Sequence, residues 1–247
     1  MRMEDLDTGR VRERFYDRQL ADLAALGIDW DGPVVRQSER TELYERAVGS
    51  LDTYPCWCTR AEIRDAASAP HGELPEGAYP GTCRDLTAAQ RAEREASGRP
   101  AALRLHAGGA PGVDDFVLRR GDGAFAYNLA VVVDDAHQGV DQVVRGRDLE
   151  ETTPRQRHLM GLLGLPEPEY IHVPLILGPD GRRLAKRHGA VTLAERDESP
   201  DETRSLLARS LGLSGSTPEE LVAGFDPVRL PTADCRLPAR PRNARAS

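Results

Sequence analysis

The segment QVVRGRDLEETTPRQRHLMGLLGLPEPEYIHVPLIL, residues 142–177, decides the fold. It opens with a short apolar run at 142–145 that is typical of a buried strand. A helix is predicted over 154–163, because a proline suits the first turn of a helix and Gly164 suits its end. A second strand is predicted over 170–177. Strands that alternate with helices favour an α/β fold with a parallel sheet over a sandwich of antiparallel sheets.

Further elements are predicted between the N-terminus and this segment. Apolar residues at helical spacing predict helices at 13–30, 39–51 and 86–98. Strand-like runs lie at 101–105, 115–120 and 124–133. The most apolar of these contains Val131-Val132-Val133. The stretch 55–85 is rich in Pro, Gly and Cys, and such a loop-rich insertion needs a staple to stay folded.

Composition narrows the class of protein. A chain of 247 residues with 39% hydrophobic content has room for one sizeable core, or for a core with a small satellite domain. No stretch approaches the roughly 18 uninterrupted apolar residues of a membrane span, and charged residues follow Met1 where a signal peptide would be apolar. We therefore expect a cytoplasmic, monomeric protein without a membrane partner. The net charge of −7 argues against non-specific coating of nucleic acid, although a local basic face remains compatible with RNA binding.

Three of the four cysteines cluster in the loop-rich insertion. They are Cys56, Cys58 and Cys83, whereas Cys235 lies far away in sequence. In a reducing compartment this spacing is typical of three thiolate ligands to Zn²⁺, which needs a fourth. The candidates are Tyr79 and His71, and histidine is the commoner ligand on chemical grounds. The alternative is three buried apolar cysteines, a poor explanation for two that flank a tryptophan.

Lysine is almost absent from the chain. Of the 33 basic residues only Lys186 is a lysine, and it lies in the glycine-containing loop 178–190, directly after the strand predicted at 170–177. A mobile loop of this kind can bring a compact ammonium group to a triphosphate, where it stabilises the charge of nucleotidyl transfer. The loop is not a Walker motif, and the alternative is a solvated basic turn.

The chain begins with an acidic segment, Arg2-Met3-Glu4-Asp5-Leu6-Asp7. A carboxylate at the end of a strand can hold the ammonium group of a ligand. It can equally cap the helix that follows, and local features alone favour capping.

Five features in order are similar to one family. They are Arg2-Met3-Glu4-Asp5-Leu6-Asp7, the Cys56/Cys58/Tyr79/Cys83 cluster, Tyr127-Asn128-Leu129-Ala130 with Val133-Asp134-Asp135, Val144-Arg145-Gly146, and Arg183-Leu184-Ala185-Lys186-Arg187. They resemble the glutamyl-queuosine tRNA(Asp) synthetases, relatives of the glutamyl-tRNA synthetase catalytic core within class I. The resemblance covers nearly the whole chain. It implies a Rossmann-type parallel sheet of α/β class with a small zinc-binding insertion.

The resemblance also implies a reaction. Glutamate and ATP, with Mg²⁺, would form glutamyl-adenylate, and the glutamate would pass to the queuosine base at the wobble position of tRNA(Asp). Glu4, Tyr127 and Arg145 match the residues that contact glutamate, and Lys186 matches the lysine that stabilises the ATP phosphates as the catalytic residue. Cys56, Cys58, Tyr79 and Cys83 match the ligands of one structural zinc, which favours Tyr79 over His71.

On this basis the chain is predicted to have four parts. They are a first part of the Rossmann core at 1–50, the zinc-binding insertion at 51–114, a second part of the core at 115–165, and a C-terminal part with the lysine loop at 166–247. No anticodon-binding domain is expected in this length of chain.

The sequence departs from the family at its start. Members begin with a strand that ends in a Pro-Ser-Pro-x-Gly-x-x-His-x-Gly motif, which residues 1–247 do not contain. We therefore expect the first strand, and the helix N-terminus that binds phosphate, to be missing. In the lysine loop, Arg183 and Ala185 leave Lys186 as the only ammonium group.

Three alternatives remain open at this stage. The chain is an active ligase with an upstream start, or a truncated or degenerate paralogue that binds tRNA through a zinc-stapled module without catalysis, or a fragment of an ordinary glutamyl-tRNA synthetase. The retention of the four matched substrate residues favours the first.

Overall fold

A computed structural model describes residues 1–7, 9, 11–67, 78–184, 193 and 198–236. The chain forms two compact units, each assembled from three segments. Unit 1 comprises Met1–Val11, Pro33–Asp141 and Glu151–Glu169. Unit 2 comprises Arg12–Gly32, Gln142–Glu150 and the described part of Tyr170–Ser247.

Unit 1 contains two sheets and most of the helices. Its strands are β1 (Arg2–Met3), β2 (Val35–Arg36), β3 (Thr53–Cys56), β4 (Ala102–Leu105) and β5 (Val117–Arg119). Its helices are α2 (Thr41–Gly49), α3 (Arg60–Ala67), α4 (Ala88–Ala96), α5 (Tyr127–Gln138) and α6 (Thr153–Leu163). Strands β1 and β2 are parallel, with Met3 opposite Arg36, whereas β3, β4 and β5 form an antiparallel sheet in that order.

Unit 2 is built around short strand pairs and three helices. Its helices are α1 (Arg14–Ala25), α7 (Pro200–Ser210) and α8 (Pro218–Gly224). Its strands are β6 (Gln142–Gly146), β7 (Glu169–Val173, whose first residue belongs to unit 1), β8 (Ile176–Leu177) and β9 (Cys235–Arg236). Strand β6 pairs with β7, and β8 pairs with β9 in parallel.

The core of unit 1 surrounds α5. This helix buries residues over most of its circumference, including Leu129, Ala130 and Val132, which have no exposed surface. It packs against α6, where Leu159 is fully buried. The strand predicted at 124–133 is therefore wrong over most of its length, because a helix buried on several sides carries the same continuous apolar run as a buried strand. The helix ends at Gly139, whose φ of 69° is the left-handed conformation that glycine adopts without strain.

Most other predicted elements are confirmed, several of them with shorter bounds. The helices predicted at 13–30, 39–51 and 86–98 are α1, α2 and α4, and the helix predicted at 154–163 is α6. The strand predicted at 170–177 is divided into β7 and β8 by Pro174, which has no N–H to donate to a sheet. The loop-rich stretch 55–85 contains α3 and the last two residues of β3, which its composition does not predict.

The α/β class with parallel strand pairing is confirmed. Within the described part of the chain, no helix combines the length and apolar character needed to cross a membrane.

Candidate metal centre and substrate-binding residues

The clustered cysteines meet in space in unit 1. Their sulfur atoms all lie within 4.8 Å of one another, and the Sγ atoms of Cys58 and Cys83 are 3.5 Å apart. The Tyr79 hydroxyl completes the group, at 3.4 Å from Cys56 Sγ and 3.8 Å from Cys58 Sγ. His71, the ligand that chemistry alone preferred, lies outside the described residues. The structure thus brings together the four residues that the family resemblance singled out.

These separations fit a tetrahedral zinc site. A Zn–S bond of about 2.3 Å gives ligand atoms roughly 3.8 Å apart at the corners of a tetrahedron. The shorter separations in the cluster, 3.4 to 3.8 Å, lie close to that value. Three soft sulfur donors and one phenol oxygen form a set that suits Zn²⁺ better than Mg²⁺ or Ca²⁺.

The cluster is held by its surroundings. Cys56, Tyr79 and Cys83 are buried, together with Tyr54 and Trp57. The Tyr79 N–H donates to Asp114 Oδ2 at 2.8 Å, and the Cys83 N–H donates to the Tyr79 hydroxyl at 2.8 Å. These bonds fix the phenol in place before any metal binds.

The thiols differ in their affinity for protons. Burial, the charge of Cys56 and the hydrogen bond with Cys83 raise the pKa of Cys58 to about 12. Burial also raises the pKa of Cys56, but its interactions with Tyr79 and Arg104 outweigh it, so that pKa is lowered overall. Burial and the hydrogen bonds with Cys56 and Cys83 raise the pKa of Tyr79. A metal that binds here must therefore displace protons.

Glu4 directly follows β1 in unit 1. Its side chain is 48% exposed and forms an ion pair with Arg2 at 3.4 Å. The neighbouring Asp5 is buried and accepts hydrogen bonds from the Ser38 N–H at 2.8 Å and the Ser38 hydroxyl at 2.7 Å. Glu13 occupies the N-cap position of α1, so the capping interpretation is wrong for Glu4. Of the two adjacent carboxylates, Asp5 is structural and Glu4 remains accessible.

Tyr127 is the first residue of α5 and is 38% exposed. The next residue, Asn128, accepts a hydrogen bond from Gln156 Nε2 at 3.1 Å, which ties the start of α5 to α6. Like Glu4, Tyr127 belongs to unit 1.

Asp134 and Asp135, which follow Tyr127 along α5, are buried and stabilise the fold. Asp134 is completely buried and accepts from Gln37 Nε2 at 2.9 Å, Arg40 Nε at 2.6 Å and the Tyr44 hydroxyl at 2.8 Å. Arg2 Nη1 donates to Asp135 Oδ1 at 2.7 Å. Two adjacent acidic residues in an apolar segment were the sequence signal for this network.

Arg145 lies on β6 in unit 2. Its Nε donates to Nε2 of His172 at 3.2 Å, and its guanidinium carbon lies 4.7 Å from the centroid of the Tyr170 ring. The Tyr170 and His172 rings are stacked at an interplanar angle of 4°. No sequence pattern singled out either aromatic residue, although positions two apart on a strand share a face.

The first residues of the lysine loop, 178–190, are also in unit 2. Arg183 forms an ion pair with Asp148 at 2.5 Å. A Cβ on Gly146 would approach Asp148 Oδ1 to 2.6 Å, so a side chain at this position would require the Asp148 carboxylate to shift. Lys186 itself lies outside the described residues.

The predicted substrate residues are thus distributed between the units. Glu4 and Tyr127 belong to unit 1 and Arg145 to unit 2, each in the setting described above.

Comparisons with known proteins identify the family. The sequence profile of the class I tRNA synthetases (E and Q), catalytic domain, matches residues 1–110 and 107–230. A protein of Nocardia farcinica named glutamyl-Q tRNA(Asp) synthetase is 61% identical over 251 residues, covering 94% of this chain and 79% of the relative. One of the same name from Symbiobacterium thermophilum is 47% identical, with 97% and 85% covered.

A solved structure supports the fold. The glutamate-tRNA synthetase of Elizabethkingia anophelis superposes with a TM-score of 0.74 and 21% identity, covering 96% of this chain and 61% of that chain. At this identity the likeness concerns the fold alone. The chain belongs to the class I tRNA synthetase family for glutamate and glutamine, in its glutamyl-Q tRNA(Asp) synthetase branch, and is a ligase of the aminoacyl-tRNA synthetase type.

Proposed function

We propose that this chain activates glutamate with ATP and transfers the glutamate to queuosine at the wobble position of tRNA(Asp). The observation that carries the proposal is the 61% identity, over 94% of the chain, to a relative named for that reaction. In the first step a glutamate carboxylate oxygen attacks the α-phosphorus of ATP and pyrophosphate leaves. In the second step a hydroxyl of queuosine attacks the activated carbonyl and AMP leaves.

Four residues are assigned to the substrates. The exposed carboxylate of Glu4 suits the ammonium group of glutamate. Arg145 suits a carboxylate, because a guanidinium can bind two oxygens at once, and the exposed Tyr127 supplies a further contact. Lys186 would stabilise the ATP phosphates, where Mg²⁺ bound with the nucleotide would neutralise further charge.

The metal centre is assigned a structural role. Cys56, Cys58, Cys83 and Tyr79 would hold one Zn²⁺, which would staple the insertion at 51–114 and present it to the RNA. Support comes from three ligand pairs that are 3.4 to 3.8 Å apart, from sulfur atoms that all lie within 4.8 Å of one another, and from the burial of three of the four side chains.

Two assays on the protein isolated from its native host test the reaction. Glutamate-dependent exchange of pyrophosphate into ATP measures the first step. Transfer of labelled glutamate to tRNA(Asp) with queuosine, to tRNA(Asp) with guanosine at that position, and to tRNA(Glu) measures the second. We expect exchange, and labelling of the queuosine-containing tRNA alone. Labelling of tRNA(Glu) would indicate an ordinary glutamyl-tRNA synthetase. Binding of tRNA(Asp) without exchange would indicate an RNA-binding module.

A matched pair of variants tests the glutamate site. Arg145→Lys keeps the charge but loses the fork, so we expect the KM for glutamate to rise. Arg147→Lys, two positions further on, alters a residue that pairs with Asp234 at 3.6 Å and should leave that KM unchanged. Equal effects of the two variants would count against the assignment of Arg145.

Metal analysis tests the zinc site. Protein prepared without added metal should contain about one zinc per chain, and Cys58→Ser should lose it. Cys235→Ser, which removes a cysteine outside the cluster, should retain it. Wild-type protein without zinc would overturn the assignment.

A further inference from the structure

We propose that Arg104 is the cation that balances the charge of the metal centre, so that zinc affinity depends on a residue that is not a ligand. The inference rests on the proposed zinc site. Arg104 lies on β4, opposite Tyr54 of β3, and only 6% of it is exposed. A guanidinium is permanently charged and is rarely buried without a negative partner.

Arg104 is directed at the ligand set. Its guanidinium carbon lies 3.6 Å from the centroid of the Tyr79 ring, a close stacking distance for a cation on an aromatic face. Arg104 therefore lies directly against one of the four proposed ligands.

Apart from the proposed ligands, Arg104 has little negative charge beside it to neutralise its guanidinium. Nη1 donates to the backbone oxygen of Asp115 at 2.7 Å, and among the described residues the buried Nε has no hydrogen-bond partner. The Asp115 carboxylate is instead bound by Tyr54, Arg84 and the Ala107 N–H. Across the described ranges, Arg104 has no ion pair with a carboxylate within 4.0 Å. A buried cation without a carboxylate partner points to negative charge from another source.

The metal centre supplies that charge. Three thiolates outweigh the two positive charges of Zn²⁺ by one, and a phenolate from Tyr79 would add a second negative charge. Such a net charge is costly to bury unless a cation lies beside it. The positive charge of Arg104 and the negative charge of the zinc-loaded site thus neutralise each other, whereas either charge would be costly to bury alone.

Zinc affinity, measured by competition with a chromophoric chelator, tests this dependence. We expect Arg104→Met still to bind about one zinc at saturation, but with affinity reduced roughly 10- to 100-fold, the usual effect of losing a residue that supports a metal ligand. Arg104→Lys keeps the charge and should recover most of the affinity. Arg84→Met removes another guanidinium that binds Asp115, at 2.7 Å, and should stay within about threefold of wild type.

The outcomes separate the inference from the zinc site on which it rests. If wild-type protein binds no zinc, the zinc site itself fails. If wild type binds zinc and Arg104→Met binds it equally tightly, the zinc site stands and the inference is wrong. If Arg104→Lys is as weak as Arg104→Met, charge is not the reason and the inference is also wrong. Should Arg104→Met fail to fold, the zinc affinity of Arg104→Lys is compared with those of wild type and Arg84→Met. The inference is wrong if Arg104→Lys binds zinc much more weakly than both.

Discussion

Arg145 donates a hydrogen bond from Nε to Nε2 of His172, with 3.2 Å between the two nitrogens. The imidazole accepts this bond only when Nε2 carries no proton, so the proton of the neutral ring lies on Nδ1. The bond uses the inner nitrogen of the guanidinium, whereas two-point binding of a carboxylate can use the terminal pair. His172 and the stacked Tyr170 thus orient the arginine that we assign to glutamate.

Replacing His172 tests that orientation. His172→Phe keeps an aromatic ring beside Tyr170 but has no acceptor, and we expect the KM for glutamate to rise about 2- to 10-fold, since a hydrogen bond contributes about 0.5 to 1.5 kcal/mol. His172→Gln keeps an acceptor and should recover much of the affinity. His137→Gln, at an exposed position on α5, serves as the control. If His172→Phe changes kcat but leaves KM unchanged, His172 does not position Arg145 for binding.

Arginine should not be able to replace Lys186 without a loss of activity. The chain uses arginine at every other basic position, so a planar guanidinium would have served if charge alone were needed. We expect Lys186→Arg and Lys186→Met both to lower glutamate-dependent pyrophosphate exchange, by roughly 10-fold or more, because the transition-state charge would lose a close ammonium contact. Exchange by Lys186→Arg at the wild-type rate would remove the catalytic assignment.

The buried Asp134 network should dominate the local stability of unit 1. Tyr44→Phe keeps the ring that packs edge-on against Phe125 but removes the hydroxyl that donates to Asp134 at 2.8 Å. We expect the free energy of unfolding in urea to fall by about 1 to 3 kcal/mol, since a charged acceptor loses one of its donors. Asp122→Ala removes an exposed pair with Arg120 and should change stability by less than about 1 kcal/mol. Equal stability of Tyr44→Phe and wild type would contradict this account.

Zinc binding should strengthen as pH rises. The pKa of Cys58 is raised to about 12 in the metal-free protein, so this thiol is protonated throughout the neutral range. Zinc binds the thiolate, so binding must displace that proton. For each proton displaced, the apparent zinc affinity falls about 10-fold when the pH falls by one unit. Chelator competition at several pH values between about 6 and 8 measures the slope. A flat profile would show that Cys58 does not ligate the metal as a thiolate.

Local chemistry indicated several of the elements and three of the proposed metal ligands. Gly164 has a φ of 64° and ends α6 as predicted, because the requirement for glycine there depends on the backbone alone. Cys56 and Cys58 flank a tryptophan, and this spacing already favoured a metal site. The fourth ligand was less certain from chemistry, which preferred His71, whereas the family resemblance favoured Tyr79.

The incorrect prediction of a strand at 124–133 has a physical cause. Val131-Val132-Val133 suits a strand by intrinsic preference, and periodicity does not distinguish a buried strand from a buried helix. The packing of α5 against α6, together with the network around Asp134, overrides that preference.

The sequence by itself determined the family, the α/β class and the cysteine cluster, because these depend on residue type, order and spacing. The assignment of residues to glutamate and ATP stays a prediction. Tertiary structure alone placed Arg104 on the Tyr79 ring, His172 on Arg145, and Asp134 among Gln37, Arg40 and Tyr44. The partners in these contacts are 25 to 97 residues apart in the chain. Their interactions become strong only where folding removes water from around both groups, and no local pattern records which distant side chain will be there.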